Sequence, residues 1–168
     1  MGDERFKNAV ILICDHNEDG AMGININQPS EVSFEEILDS LEIENHNSSR
    51  FPMVHEGGPV NTECGFILHN NNKTYTSSIQ VHKQLNLTTS KDIIRAIGNQ
   101  EISHDWLLAL GCATWSAGQL EQEIADNAWL ICPADERIIF KQNDNKWPEA
   151  LGILGIKPHQ LSNVTGHA

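Results

Sequence analysis

The sequence has no long apolar run: its most continuous stretch, Ala9 to Cys14, is closed by Asp15 and His16 after six residues. A helix that crosses a bilayer needs about 20 such residues, so no membrane span is expected. Positive charge is scarce as well. Eleven Lys and Arg stand against 23 Asp and Glu, a net charge of −12 at pH 7, and no two cations are adjacent. Such a surface repels the phosphate backbone and anionic lipid, which speaks against direct nucleic-acid or membrane binding. The four cysteines (Cys14, Cys64, Cys112, Cys132) contain no C-x-x-C pair, and three lie in or beside apolar runs. Buried free thiols are the expected state. The N-terminus also shows no charged leader with a small-residue cleavage site, so a reducing, cytoplasmic setting is expected.

Several chemical signatures are missing too. Gly111 and Gly118 bracket a segment that lacks the lysine of a phosphate-binding loop, which argues against a Walker-type nucleotide site. His55-Glu56 has no second histidine for a zinc helix, and the acidic turn Asp15, His16, Glu18, Asp19 has no EF-hand pattern. No metal and no cofactor are expected. Thr114-Trp115-Ser116-Ala117-Gly118 comes near the nucleophile elbow G-x-S-x-G, with Asp135 and then His159 or His167 in a suitable order, but Thr114 replaces the first glycine. Glu121 and Glu123, two apart on a helix, face different ways and cannot form a carboxylate dyad, whereas Gln119 and Glu123, four apart, can meet.

What is present is a single α+β domain, spread over all 168 residues at 39% hydrophobic content. Ala9–Cys14 and Ala21–Ile26 read as strands around an acidic turn. Ser33 three residues before Glu36 is a capping box for a helix carrying Phe34, Ile37, Leu38 and Leu41. Gly65–His69 and Tyr75–Val81 around an Asn-rich turn predict a hairpin. Ser90 then opens a helix through Ile97, with Gly98 as terminator. Trp106–Leu110 predicts a buried strand, Gly111–Ala117 a loop, and Gly118–Asn127 a helix. Ala128–Cys132 and Ile138–Phe140 predict two further strands, and Trp147, Leu151 and Leu154 a last helix. Trp106, Trp115, Trp129 and Trp147 lack interleaved cations, so core packing fits them better than nucleic-acid stacking.

The segments DERF..AVILICDHNEDGAMGININQP, HEGGPV....GFILH, LTTSKDI, LALGCATWSAGQLEQEIADNAWLICPAD and LS...GHA resemble the AlgH/YqgE family of bacterial proteins, in family order and over nearly the whole chain. The resemblance implies one α+β domain with a bent mixed β-sheet and flanking helices, cytoplasmic, without an established activity or cofactor. Its members are labelled transcriptional regulators through a genetic link to alginate synthesis. Relatives begin further upstream, which implies that an edge strand is missing here, and many have an aromatic residue where Cys112 stands.

Two functions follow. One is a non-enzymatic binding or regulatory protein that holds a protein segment or small anion. Its groove would lie beside Gly57-Gly58-Pro59 and the 111–121 loop, with Gly57, Gly58, Gly111, Trp115, Gly118, Gln119 and Glu121 as contact residues. The other is a hydrolase or transferase with Ser116 or Cys112 as nucleophile and Glu121, Asp135 or a histidine as base.

Overall fold

Alternating apolar residues and tight turns build the central sheet. The computed structural model describes residues 6–45, 51–71, 73–102, 105–141 and 145–161. Strands β1 (Ile11–Asn17) and β2 (Gly20–Asn25) form an antiparallel hairpin, with a bulge at Cys14 where the register shifts between Ile13 and Asp15. After β3 (His55–Glu56) and the ten-residue β4 (Val60–His69) come β5 (Ser78–His82), β6 (Leu85–Thr88) and β7 (Trp106–Ser116). The spatial order is β1-β2-β7-β4-β6-β5, and β3 lies parallel to β7 while the other pairings are antiparallel. The fold is α+β with a mixed sheet in a single domain, as the sequence implies.

Strand β7 organises the molecule. Its first half pairs with β3 and β4, its second half with β2, and it changes partner at Gly111, whose φ is +78°. That left-handed residue absorbs the bend without exposing the apolar faces on either side. One face carries Leu12, Ile24, Phe66, Leu68, Leu107 and Cys112. The opposite face holds Ile67 and Leu108 under α1 (Phe34–Ser40) and α2 (Lys91–Gly98), which contribute Phe34, Leu38, Ile93 and Ile97. Beyond the bend, Ala113 and Trp115 pack with α3 (Gln119–Ala125) and with Trp129.

Ser33 caps α1 as expected, its hydroxyl accepting the Glu36 amide at 3.2 Å. Gly98, expected as a terminator, is still helical, and Asn99 ends α2.

Four expectations are corrected. Residues 111–116 are strand, not loop, because Ala113–Ser116 has a full antiparallel partner in Gly20–Gly23. Strand β4 does not pair with its sequence neighbour across the Asn-rich turn. Asn71 is buried, bonded to His69 Nδ1 at 2.6 Å and donating to the Tyr75 hydroxyl at 3.0 Å, which draws the turn inward, and β6 takes the place beside β4. Ile138–Phe140 falls in α4 (Glu136–Ile139) and its C-cap, since the Asp135 carboxylate accepts the Arg137 amide at 2.9 Å and starts a helix there. Residues 129–135, including most of the expected Ala128–Cys132 strand, have no regular structure. The chain then forms α5 (Lys146–Ile153) and a 3-10 turn at Pro158–Leu161.

Candidate binding groove

The expected contact residues separate into two places. Gly57, Gly58 and Gly111 form a closed seam: a methyl group on Gly58 would run into the Cys112 backbone, and one on Gly111 into the Gly58 carbonyl. Gly57 donates its amide to Leu110 O at 2.8 Å, and its carbonyl accepts from Asn25 at 2.8 Å. The seam therefore joins β2, β3 and β7 backbone to backbone. Gly58 and Pro59 also edge a hollow of about 620 Å³ with a mixed lining, Asn25, Gln28 and Glu56 beside Phe6, Val32 and Leu110.

Trp115, Gln119 and Glu121 lie elsewhere, around α3. Gly118 caps this helix in a left-handed conformation with φ +76°. The Ser116 amide at its head is occupied, because the Gln119 side-chain oxygen accepts it at 2.9 Å and the Ser116 hydroxyl at 3.1 Å. Glu121 Oε1 meets His16 Nε2 at 2.6 Å, tying α3 to the end of β1. Gln119 and Glu123 meet as their spacing demands, at 2.8 Å.

Glu123, expected only to meet Gln119, organises this corner. Its Oε1 accepts the indole N–H of Trp129 at 2.8 Å and that of Trp115 at 3.2 Å. Burial raises the carboxyl's pKa, but the hydrogen bonds from Trp129, Gln119 and Trp115 outweigh it and the net direction is downward. The two indoles stand edge to face at 6.1 Å. Trp106 packs on Phe34 at 4.9 Å, so the tryptophans do not share a stacking surface. The sequence signal reached only the Gln119–Glu123 spacing, because Trp115 in β7 and Trp129 beyond α3 lie outside the helix.

Beside these rings runs an apolar groove of about 400 Å³. Its walls come from both faces of the sheet: Ile11, Ile13, Trp115, Leu120 and Trp129 on one side, Leu12, Ile26 and Ile139 on the other. The unpaired segment Leu130–Ala134 and Trp147, Ala150 and Leu154 of the α5 region complete it. His16 and Asp135 stand on its rim. Ile131 is 65% exposed and Leu154 37%, an apolar surface that a protein ordinarily covers. The far wall is held by Lys146, which is buried and donates its ammonium to Ile26 O at 2.8 Å and Ile139 O at 2.7 Å. Burial pushes its pKa down to about 8, with Glu149 opposing. Burial and the Lys146 charge in turn push buried His55 down to about 4.

The residues named as nucleophiles are poorly placed for that work. Cys112 is buried and burial raises its thiol pKa, while Ser116 donates to an amide oxygen that cannot take its proton. Asp135 is engaged by Arg137 at 2.8 Å, which lowers its pKa, and His159 lies in the 3-10 turn at Pro158–Leu161. His167 lies outside the described residues. All four cysteines are unbridged, Cys14 and Cys112 buried and Cys64 and Cys132 partly so. Among the described residues no group of three or more metal-binding side chains converges, and no helix is long and apolar enough to cross a membrane.

Residues 1–159 match the family model described as AlgH-like. The chain is 43% identical to the UPF0301 protein of Aliivibrio salmonicida over 174 residues, covering all of this chain and 93% of that relative. It is 44% identical to the UPF0301 protein of Photobacterium profundum, with the same coverage. The solution structure of the AlgH protein from Pseudomonas aeruginosa superimposes with a TM-score of 0.78 at 37% identity, over all of this chain and 90% of that one. A Corynebacterium diphtheriae protein shares the fold alone, with a TM-score of 0.65 at 22% identity.

Proposed function

The chain belongs to the AlgH-like family, and from that premise we propose that it is a non-enzymatic binding protein whose partner seats an apolar segment in the groove beside β1. The observation that carries this reading is the groove itself: about 400 Å³, walled by side chains from both faces of the sheet, with Ile131 left 65% exposed at its mouth. The occupied Ser116 amide favours an apolar occupant over an anion at the head of α3. A net charge of −12 favours action through a bound partner over direct contact with DNA.

Titration with an apolar fluorescent probe tests the reading, because Trp115, Trp129 and Trp147 all line the groove. The probe should quench indole emission and bind at one site. Ile131→Glu should remove that binding while the unfolding midpoint stays in place. Equal probe binding by the wild type and the Ile131→Glu variant would refute the proposal. So would labelling of Ser116 or Cys112 by activity-based probes in the native protein, which would favour the hydrolase or transferase reading.

A further inference from the structure

The few cations of the chain are unevenly spread. Between Glu63 and Glu101 the sequence holds Lys73, Lys83, Lys91 and Arg95 against one acid, Asp92, a net charge of +3 in a chain whose total is −12, so the remainder carries −15. The fold gathers the four cations at one side of the sheet, because this stretch builds β5, β6 and α2, and β5 ends the strand order opposite β1. The lone acid is occupied internally. Asp92 accepts the Thr76 amide at 2.8 Å, the Thr76 hydroxyl at 3.0 Å and the Ser90 hydroxyl, which ties the start of α2 to the approach to β5. All four cations are exposed, and among the described residues none has an ion-pair partner.

Three of the four stand against local preference. Lys91 and Arg95 are four apart on α2, where like charges repel, and Lys91 opens the helix where an acid would be favoured. Lys83 holds φ +49° in the β5–β6 turn, a left-handed conformation that suits Gly or Asn better. Cations kept at such positions point to a use outside the fold.

Beside them lies a strand edge. Among the described residues β5 pairs with β6 alone. Thr89 donates to Ser77 O at 3.0 Å, so Ile79 and Leu87, two residues on, form the next bonded pair. Ser78 and Gln80 then direct their main-chain N–H and C=O groups away from β6. Among the described residues nothing hydrogen-bonds to those groups. The two faces at this edge differ. The Ser78 hydroxyl meets that of Thr88 at 2.6 Å on the face that α2 covers, while Ile79, 47% exposed, faces the other way. Lysines and the bulge at Val81 deter pairing with a neutral or basic strand. An acidic strand meets attraction instead. It must also be short: charges interact over only about 8 Å at physiological salt, so a compact segment escapes the acidic remainder that a long polyanion would meet.

We infer that the β5 edge, with the cations of α2 and of the β5–β6 turn, docks an acidic, extended protein segment that adds to β5 as a strand, its carboxylates on the α2 side and its apolar side chains beside Ile79. This surface lies apart from the groove beside β1 and does not depend on it.

The test uses short dye-labelled peptides that alternate glutamate with valine, or lysine with valine. Binding is read by fluorescence anisotropy, and amide exchange at Ser78 and Gln80 is followed by NMR. The glutamate peptide should bind, slow exchange at both amides and weaken as salt is added, while the lysine peptide should not bind. Lys91→Glu should weaken binding roughly tenfold, the value of one lost charged hydrogen bond, and Lys83→Asn several-fold. The thermal midpoint of each variant should hold or rise, because each substitution relieves a local cost. Lower midpoints with unchanged binding would assign these cations to the fold and overturn the docking surface. Absence of binding would overturn it, and so would binding that leaves both amides unprotected. Tighter binding of an oligothymidylate would assign the surface to nucleic acid, and protection of the same amides by concentration-dependent self-association, followed by sedimentation, would assign it to a second copy; either result overturns the acidic segment.

Discussion

At the glycine seam, three backbones approach so closely that no Cβ fits between Gly58 and Cys112, whereas beside β1, an outer strand among the described residues, the structure leaves a gap of about 400 Å³. The seam was named from sequence as part of the receptor; the outer edge of β1 was not. They differ because glycine by itself does not distinguish a position that must admit a ligand from one that must admit another strand. Gly57, Gly58 and Gly111 are small for the second reason: they let β3 and the bend of β7 meet. The groove instead comes from large side chains that stop short of one another.

The contrast would be broken most sharply by Gly58→Ala. The added methyl meets the Cys112 backbone at a φ of +155°, and a loss of more than about 3 kcal/mol in urea unfolding is expected. Gly118→Ala serves as the control. It sits at φ +76° with nothing within 4 Å of the added carbon, so only the left-handed strain of about 1–2 kcal/mol applies.

The second effect is on pH dependence. His55 titrates at about 4 when folded and 6.5 in its ordinary state, so the unfolded chain binds more protons between those values. Stability is therefore lost as pH falls from 6.5 towards 4, by about 3 kcal/mol from this group. Lys146, lowered from 10.5 to about 8, adds a rise in stability between pH 8 and 10.5 by the same sign. NMR titration of His55 should give the low value, and Lys146→Met should move it upward by removing the facing charge.

Smaller still is Glu123→Gln, which weakens the bonds to two indoles and should cost about 1–2 kcal/mol, with a change in tryptophan emission. Ile131→Glu should change stability by less than about 0.5 kcal/mol in thermal unfolding, because the side chain is already 65% exposed, yet abolish probe binding.

How far the sequence carried the fold depends on the kind of signal. Ser33 and the apolar face of α1 were local, and so were the β1 and β2 strands and the α3 spacing; all were legible. The β4–β6 pairing was not, since it depends on Asn71 turning inward to His69, a contact settled only in three dimensions. Ala128–Cys132 read as strand because its composition suits a ladder, and its lack of a partner is invisible to propensity. Of the site, Trp115, His16 and Glu121 were named and do lie near one another. Gly57, Gly58 and Gly111 were named as contact residues and serve backbone packing, while the bonds of Glu123 to the two indoles, and the roles of Leu130 and Lys146, were missed because they arise from segments far apart in the chain.

The extra residue at Cys14 reverses the alternation of β1 partway along. Were Cys14 paired in a regular ladder, Asp15 would point with Ile11 and Ile13, and His16 with Leu12; with the bulge, Asp15 stands opposite Met22, and His16 opposite Ala21 on the tryptophan side. Only in that phase can the imidazole reach Glu121. Flattening the bulge with Cys14 kept in the ladder would put the Asp15 carboxylate where the latch stands, facing Glu121, and would loosen α3 from the sheet at the mouth of the gap while leaving every apolar wall residue unchanged.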